Sequence, residues 1–179
     1  MTILVDTSAH TLSAFGETCR CAIGKGGALP AAIKREGDGA TPLGDWPLLG
    51  VLLRPDRIAP LPLNIPWRWL RAADGWSDDS ADPEYNRPIT HPHRFSAERL
   101  WREDDIYDII VVLGHNQHPV TPGAGSAIFW HLSRRDWRPT EGCIAIERAA
   151  MLNLLPRLTS AMRMRISASS QTPHAAPAP

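Results

Sequence analysis

The run Ile109-Ile110-Val111-Val112-Leu113 limits the fold of this chain more than any other feature. Its Ile and Val side chains are stiff at χ1, which disfavours a helix and suits a pleated surface. With Tyr107 and Asp108 before it, the run predicts a strand over 107–113. A segment without polar alternation must be covered on both faces, so this strand belongs in the middle of a sheet.

The N-terminal segment extends that reading. Strands are predicted over Thr2–Val5, Thr11–Phe15 and Thr18–Ile23, separated by turn signals at Asp6-Thr7-Ser8 and Gly16-Glu17. Strands so close in sequence pair antiparallel, as a meander. Gly24-Lys25-Gly26-Gly27 lacks the Lys-Ser or Lys-Thr ending of a phosphate-cradling loop and reads as a turn. Gly, Pro and Asp between Arg35 and Leu48 predict a turn leading into a strand over Trp46–Leu53, and Arg54–Pro66 is proline-rich and irregular. Trp46, Trp67, Trp69 and Trp76 fall in this middle region, where they either line a groove or fill a core.

A short helix is predicted over Ala97–Trp101 and another over Ile146–Leu155, stopped by Pro156. Asn116–Gly125 and Ser133–Pro139 read as loops, with a strand over Ser126–His131 between them. A last strand is expected where Met162, Met164 and Ile166 alternate with Arg163 and Arg165. The expected architecture is mostly β with one or two short helices.

Composition narrows the function. A chain of 179 residues with 43% apolar content fits one domain, taken here as 1–166, with 167–179 expected as a disordered Pro/Ala/Ser tail. Nineteen basic against nineteen acidic residues cancel, so no global field favours nucleic acid or an anionic membrane surface. No apolar run approaches the roughly 18 residues of a membrane-spanning helix. Met1–Asp6 has neither the basic start nor the apolar stretch of a secretory leader. Three cysteines cannot all pair within one chain, so this is not a disulfide scaffold. On a strand, Cys19 and Cys21 share one face with Arg20 opposite and read as core residues. No histidine shows zinc-type spacing around them, and neither a metal nor a cofactor is expected.

The chemistry concentrates in Thr140-Glu141-Gly142-Cys143-Ile144, where Cys143 follows His131 by twelve residues. A free thiol titrates at about 8.5, so a nucleophilic cysteine needs a base or positive field beside it, and His131 is the candidate. Gly142 permits a tight turn that aims backbone N–H groups at an oxyanion, with the amides of Gly142 and Cys143 as expected donors. The competing reading is a buried cysteine and a satisfied core histidine. His115 and His118 follow the central strand and His115 is a secondary candidate, whereas His91 and His93 flank Pro92 in a loop where a solvated role is expected.

Three motifs occur in order: Asp38-Gly39-Ala40-Thr41-Pro42-Leu43-Gly44, Ser126-Ala127-Ile128-Phe129-Trp130-His131 and Thr140-Glu141-Gly142-Cys143-Ile144. With Tyr85-Asn86-Arg87 and the segment from Tyr107 through Gly114-His115-Asn116, they resemble the YkuD-type L,D-transpeptidases from about residue 10 to about residue 166. The resemblance implies a β-sandwich or barrel catalytic domain acting on peptidoglycan stem peptides as acyl donor and amine acceptor, in the periplasm. It implies that Cys143 attacks a stem-peptide carbonyl with His131 as base and forms a thioester, which a second stem's amine resolves. Gly142 and Thr140 are implied to shape the site, and Tyr85, Asn86, Arg87, His115, Asn116 and Glu141 to contact substrate.

The match has two departures. The commoner family form reads Ser-His-Gly-Cys-Ile/Val-Arg; here Thr140 keeps the hydroxyl, while Glu141 and Ala145 replace the histidine and the arginine. Donor-carboxylate recognition must then fall to another group, with Arg87, Arg94 and Arg148 as candidates, and the bond attacked could shift to give 1,3 rather than 3,3 crosslinks. Alternatives are a carboxypeptidase or amidase of the same fold, a sortase-like transpeptidase, or a peptidoglycan-binding module without catalysis. A papain-like order is disfavoured because it places cysteine before histidine.

Overall fold

The computed structural model describes residues 2–168. Its strands are β1 Thr2–Asp6, β2 Thr11–Ala14, β3 Glu17–Ala22, β4 Ala28–Pro30, β5 Thr41–Leu53, β6 Trp67–Trp69, β7 Asp74–Ser77, β8 Pro88–Thr90, β9 Ala97–Arg99, β10 Ile109–Leu113, β11 Phe129–Leu132, β12 Ile144–Ile146 and β13 Arg163–Ser167. Helix α1, Arg148–Leu154, lies between the last two strands and runs into a 3-10 turn at Leu155–Arg157.

Neighbouring strands run β10-β11-β12-β3-β2-β1-β13-β5, and β5 pairs again with β10, which closes the ring into a barrel. Strand β5 can serve two partners because it is long: Gly44–Pro47 pair with β13, and Leu48–Leu53 pair with β10. The expected meander is β1-β2-β3, paired antiparallel. The central position expected for the 109–113 run is found, with β11 on one side and β5 on the other. A separate small sheet, β8-β7-β9, lies outside the ring.

The alternation of side chains along β10 explains its uniform apolarity. Ile109, Val111 and Leu113 enter the main core with Trp130, Leu132, Ile144 and Ile146. Ile110 and Val112 enter a second core with Trp76, Leu100, Tyr107, Phe129 and Cys143. Burying one such side chain contributes about 1.5–3 kcal/mol, so both faces of β10 contribute to the fold. The same period of two sends Trp130 and Leu132 of β11 inward and turns Phe129 and His131 the other way.

Several local expectations change. Ala97–Arg99 is a strand, not a helix, because Ser77↔Ala97, Trp76↔Glu98 and Gly75↔Arg99 pair it with β7, and tertiary pairing overrides helix propensity. The strand predicted from Ser126 starts at Phe129, since Ala127 has φ of 51° and breaks the extended run. Ile146 ends β12, so the helix begins at Arg148, and Pro156 sits within the 3-10 turn. Strand β5 starts at Thr41, earlier than the predicted Trp46. Of the expected tail, Ser167 pairs with Asp6 in β13, while 169–179 lie outside the described residues. Cys21 is buried and Cys19 packs against the main core with Arg20 exposed, as expected. Trp76 is buried, Trp46 and Trp69 pack against the main core, and Trp67 is exposed.

Candidate active site

Strands β11 and β12 are parallel neighbours, with Trp130↔Ile144, His131↔Ala145 and Leu132↔Ile146 in register. Partners in register share a face and alternate residues return to it, so His131, Ala145 and Cys143 present side chains on one face. That face forms part of a cleft of about 590 Å³, lined among others by Cys143, His131, Tyr107, Glu98, Thr140, Glu141 and Ala145. The twelve-residue separation is thus closed by a parallel crossover.

The cysteine loop is sutured to its surroundings. Thr140 N–H donates to the Ile23 carbonyl at 2.9 Å, and Lys25 N–H donates to the Thr140 carbonyl at 2.8 Å. Within the loop, Thr140 Oγ1 donates to the Cys143 carbonyl at 2.6 Å and accepts from Gly142 N–H at 3.1 Å. The Gly142 amide is therefore committed to Thr140 in this state, contrary to the expectation that it is a ready oxyanion donor. Gly142 itself has φ of 133°, and a Cβ there would lie 2.9 Å from the Ala40 carbonyl oxygen. Only glycine fits.

The Cys143 thiol donates to the Ala127 carbonyl at 3.2 Å and its sulfur accepts from Phe129 N–H at 3.3 Å. Burial pushes it up to about 12, and the Glu98 charge adds to the effect. Nδ1–H of His131 donates to the Leu132 carbonyl at 2.9 Å, so in the neutral ring Nε2 carries the lone pair. Burial pulls this imidazole down to about 4. The resting pair is thus a neutral thiol and a neutral imidazole, suited to general-base activation rather than to a preformed ion pair.

Tyr107, expected as part of the central strand and of the segment that carries the resemblance but not as a site residue, joins the site. Its ring meets the His131 ring edge-on at 5.1 Å, and its hydroxyl donates to Glu98 Oε1 at 2.7 Å. Burial raises the Glu98 carboxyl. Glu36 and Asp78 also line the cleft, as do Arg102, Arg134 and Arg138. None of these groups was legible as a site residue, because no local motif surrounds them.

Of the other expected contacts, all but Glu141 lie elsewhere. Asn86 is buried with every polar group engaged: Nδ2 donates to the carbonyls of His115 and Asn116, and Oδ1 accepts from Trp76 Nε1 and Ala127 N–H. Tyr85 is buried too, donating to Glu36 and accepting from Gly125 N–H at 3.0 Å. Arg87 is bound to Gln117. These residues brace the wall behind the cleft rather than line it. His115 and Asn116 line a different cleft with Trp46 and Arg35. Arg94 lies over the Phe95 ring, and Arg148 pairs with the buried Asp108. None of Arg87, Arg94 and Arg148 lines the cleft that holds Cys143. Glu141 does, paired with Lys25 at 2.8 Å. His93 is not solvated as expected: its Nε2 sits 2.6 Å from Asp82 Oδ2. Asp82, Glu84 and His93 gather ligand-type atoms within 4.8 Å, but Asp82 already accepts from Ser77 Oγ and Glu84 N–H, a closed hydrogen-bond knot.

The class is thus a mostly β barrel with a buried cysteine and histidine on one face of a parallel strand pair, both lining one cleft. The model of the YkuD family, described as the L,D-transpeptidase catalytic domain, matches residues 1–166, and the chain belongs to that family. Among solved structures, L,D-transpeptidase 1 of Mycobacterium tuberculosis is similar at 14% identity with a TM-score of 0.41, covering 92% of this chain and 60% of that one. No curated protein matches.

Proposed function

We propose that the protein is a peptidoglycan L,D-transpeptidase that works through a Cys143 thioester, with the periplasm as its setting. The observation that carries this reading is the shared face of Cys143 and His131 in one cleft, in a chain of the YkuD family.

In the proposed cycle the thiol leaves its bond to the Ala127 carbonyl, and His131 Nε2 takes its proton as Sγ attacks the stem-peptide carbonyl. The tetrahedral oxyanion is held by backbone N–H, with the Cys143 amide as the donor and the Gly142 amide joining if Thr140 Oγ1 releases it. Collapse breaks the C–N bond, His131 returns the proton to the departing amine, and a thioester remains. An amine of a second stem then attacks, His131 takes its proton and passes it to Cys143 Sγ as the C–S bond breaks, and the resting thiol and imidazole are regenerated. Water in place of the amine gives carboxypeptidase or amidase activity.

The test uses purified protein and Cys143→Ala with disaccharide-tetrapeptides, read by mass. The proposal expects crosslinked dimers and a transient acyl adduct on Cys143 only with the parent. Shortened monomers without dimers would replace transpeptidation by hydrolysis, and unchanged substrate that still binds would indicate a binding module. Fragmentation of the dimers separates 3,3 from 1,3 linkages.

A further inference from the structure

Pairing with β7 puts Glu98 in register with Trp76, so its side chain shares the face that meets the second core, where Tyr107 and Cys143 are buried. A carboxylate gains little for the fold there. It has about four acceptor positions, and among the described residues its one side-chain hydrogen bond comes from the Tyr107 hydroxyl at 2.7 Å. Arg102, a positive charge that acts on it, gives Nε and Nη2 to Asp104 instead. The second oxygen is left for the cleft that Glu98 lines with Cys143 and His131. Glu98 is also near the sulfur, since after burial its charge is the largest influence raising the thiol. Holding an underbonded carboxylate beside an apolar core costs stability, and its place in a reactive cleft gives it a chemical use.

In the proposed transpeptidation one proton lacks a destination. A stem amine of the lysine type titrates at about 10.4, so it reaches the cleft as an ammonium and must shed two protons to become an amide nitrogen. His131 carries one of them to Sγ as the C–S bond breaks, and a single imidazole cannot hold the other as well. We propose that Glu98 is a catalytic base for the acceptor, taking the first proton from the ammonium before its nitrogen attacks the thioester; this rests on the transpeptidase reading above. The step balances: ammonium, thioester and Glu98 carboxylate give amide, Cys143 thiol and Glu98 carboxylic acid, which then returns its proton to water. Burial raises the Glu98 carboxyl and so makes it a better base than an exposed glutamate. Asp78 and Glu36 face it with negative charge, Arg102 with positive charge and Tyr107 with its hydroxyl. Asp78 and Glu36 line the same cleft, where their charge favours a cationic acceptor.

The experiment forms the acyl adduct on the parent, Glu98→Gln and Glu98→Asp, using a disaccharide-tetrapeptide donor whose own side-chain amine is acetylated. Loss of the adduct is then followed by mass with two nucleophiles: a second stem peptide with a free amine, and hydroxylamine, which is uncharged at pH 8. Glu98→Gln is expected to acylate severalfold faster than the parent, because the charge near the thiol is gone. Its adduct is resolved by the stem amine about 100-fold more slowly, the size of a lost general base. Hydroxylamine sheds no proton before it attacks and resolves both adducts at similar rates, and Glu98→Asp restores part of the stem reaction. Between pH 7 and 9 the parent's stem aminolysis is flat, whereas that of Glu98→Gln climbs about tenfold per pH unit with the free amine. Equal aminolysis by the parent and Glu98→Gln, an equal loss in both half-reactions, or a tenfold climb in the parent itself overturns the inference, while dimers made by the parent still uphold transpeptidation. A parent that forms no adduct, or one resolved only by water, overturns both.

Discussion

Thr41 and Gly142, 101 residues apart in sequence, are joined by a hydrogen bond of 2.9 Å from the Thr41 hydroxyl to the Gly142 carbonyl. The same oxygen accepts from Gly24 N–H at 2.9 Å, so one buried hydroxyl ties the cysteine loop to the turn after β3. Thr41→Val keeps the shape but leaves two buried backbone groups unpaired, each costing about 1–3 kcal/mol. Urea unfolding is expected to show a loss of about 2–4 kcal/mol, mostly recovered in Thr41→Ser. Equal stability of the valine variant and the parent would show that the hydroxyl is replaceable there.

Gly142→Ala meets two obstacles at once: a backbone angle that L side chains rarely adopt, and a Cβ within 2.9 Å of the Ala40 carbonyl oxygen and 3.3 Å of Ile128 Cδ1. The loop must shift to admit it, at about 1–3 kcal/mol for the strained backbone alone. Because Cys143 is the next residue, the expected outcome is a folded protein with a lowered Tm and at least a hundredfold slower acylation. Acylation at the parent rate would mean that the loop conformation is not what aims the thiol.

Much of this architecture was written locally in the chain. The β-branched 109–113 run, the N-terminal meander and the alternation before Ser167 each depend on side-chain shape and period, which neighbours in sequence reveal. The order of His131 and Cys143 was legible for the same reason, since both sit at strand ends with recognisable flanks. The strand at Ala97–Arg99 was not, because alanine, glutamate and arginine favour helix and only pairing with β7 extends them. That non-local pairing also carries Glu98 to the cleft, where Tyr107 holds it. Polar residues at Tyr85, Asn86 and Arg87 looked suited to substrate, yet their groups are spent on the loops behind the site. Sequence shows which residues can bond, while the fold decides with what.

His131 gives stability a pH dependence whose sign follows from its depressed value. Between about pH 4 and 6.5 the unfolded chain holds a proton on this imidazole that the folded one lacks, so stability rises with pH across that window. The contribution is fully present above 6.5 and lost below 4, at about 3 kcal/mol for a shift of this size. Thermal unfolding followed from pH 4 to 7 is expected to show this rise, and His131→Gln to flatten it. Acylation should share the acid limit, with kcat/KM falling near pH 4 rather than 6.5 when the imidazole is protonated and can no longer accept the thiol proton.

Glu98 sets how reluctant the thiol is to ionise. After burial, its charge is the next cause raising Cys143, and it is itself raised by burial with Tyr107 as its hydrogen-bond donor. Glu98→Gln removes the charge and keeps an acceptor for the Tyr107 hydroxyl, so the packing survives while the thiolate becomes less unfavourable. Iodoacetamide alkylation of Cys143, followed by mass against pH, is expected to be slow in the parent at pH 8 and severalfold faster in Glu98→Gln, with the midpoint displaced to lower pH. The parent's midpoint should lie far above the 8.5 or so of a free thiol. An unchanged midpoint in the variant would mean that Glu98 is already neutral beside the thiol, leaving burial alone to hold the proton on sulfur.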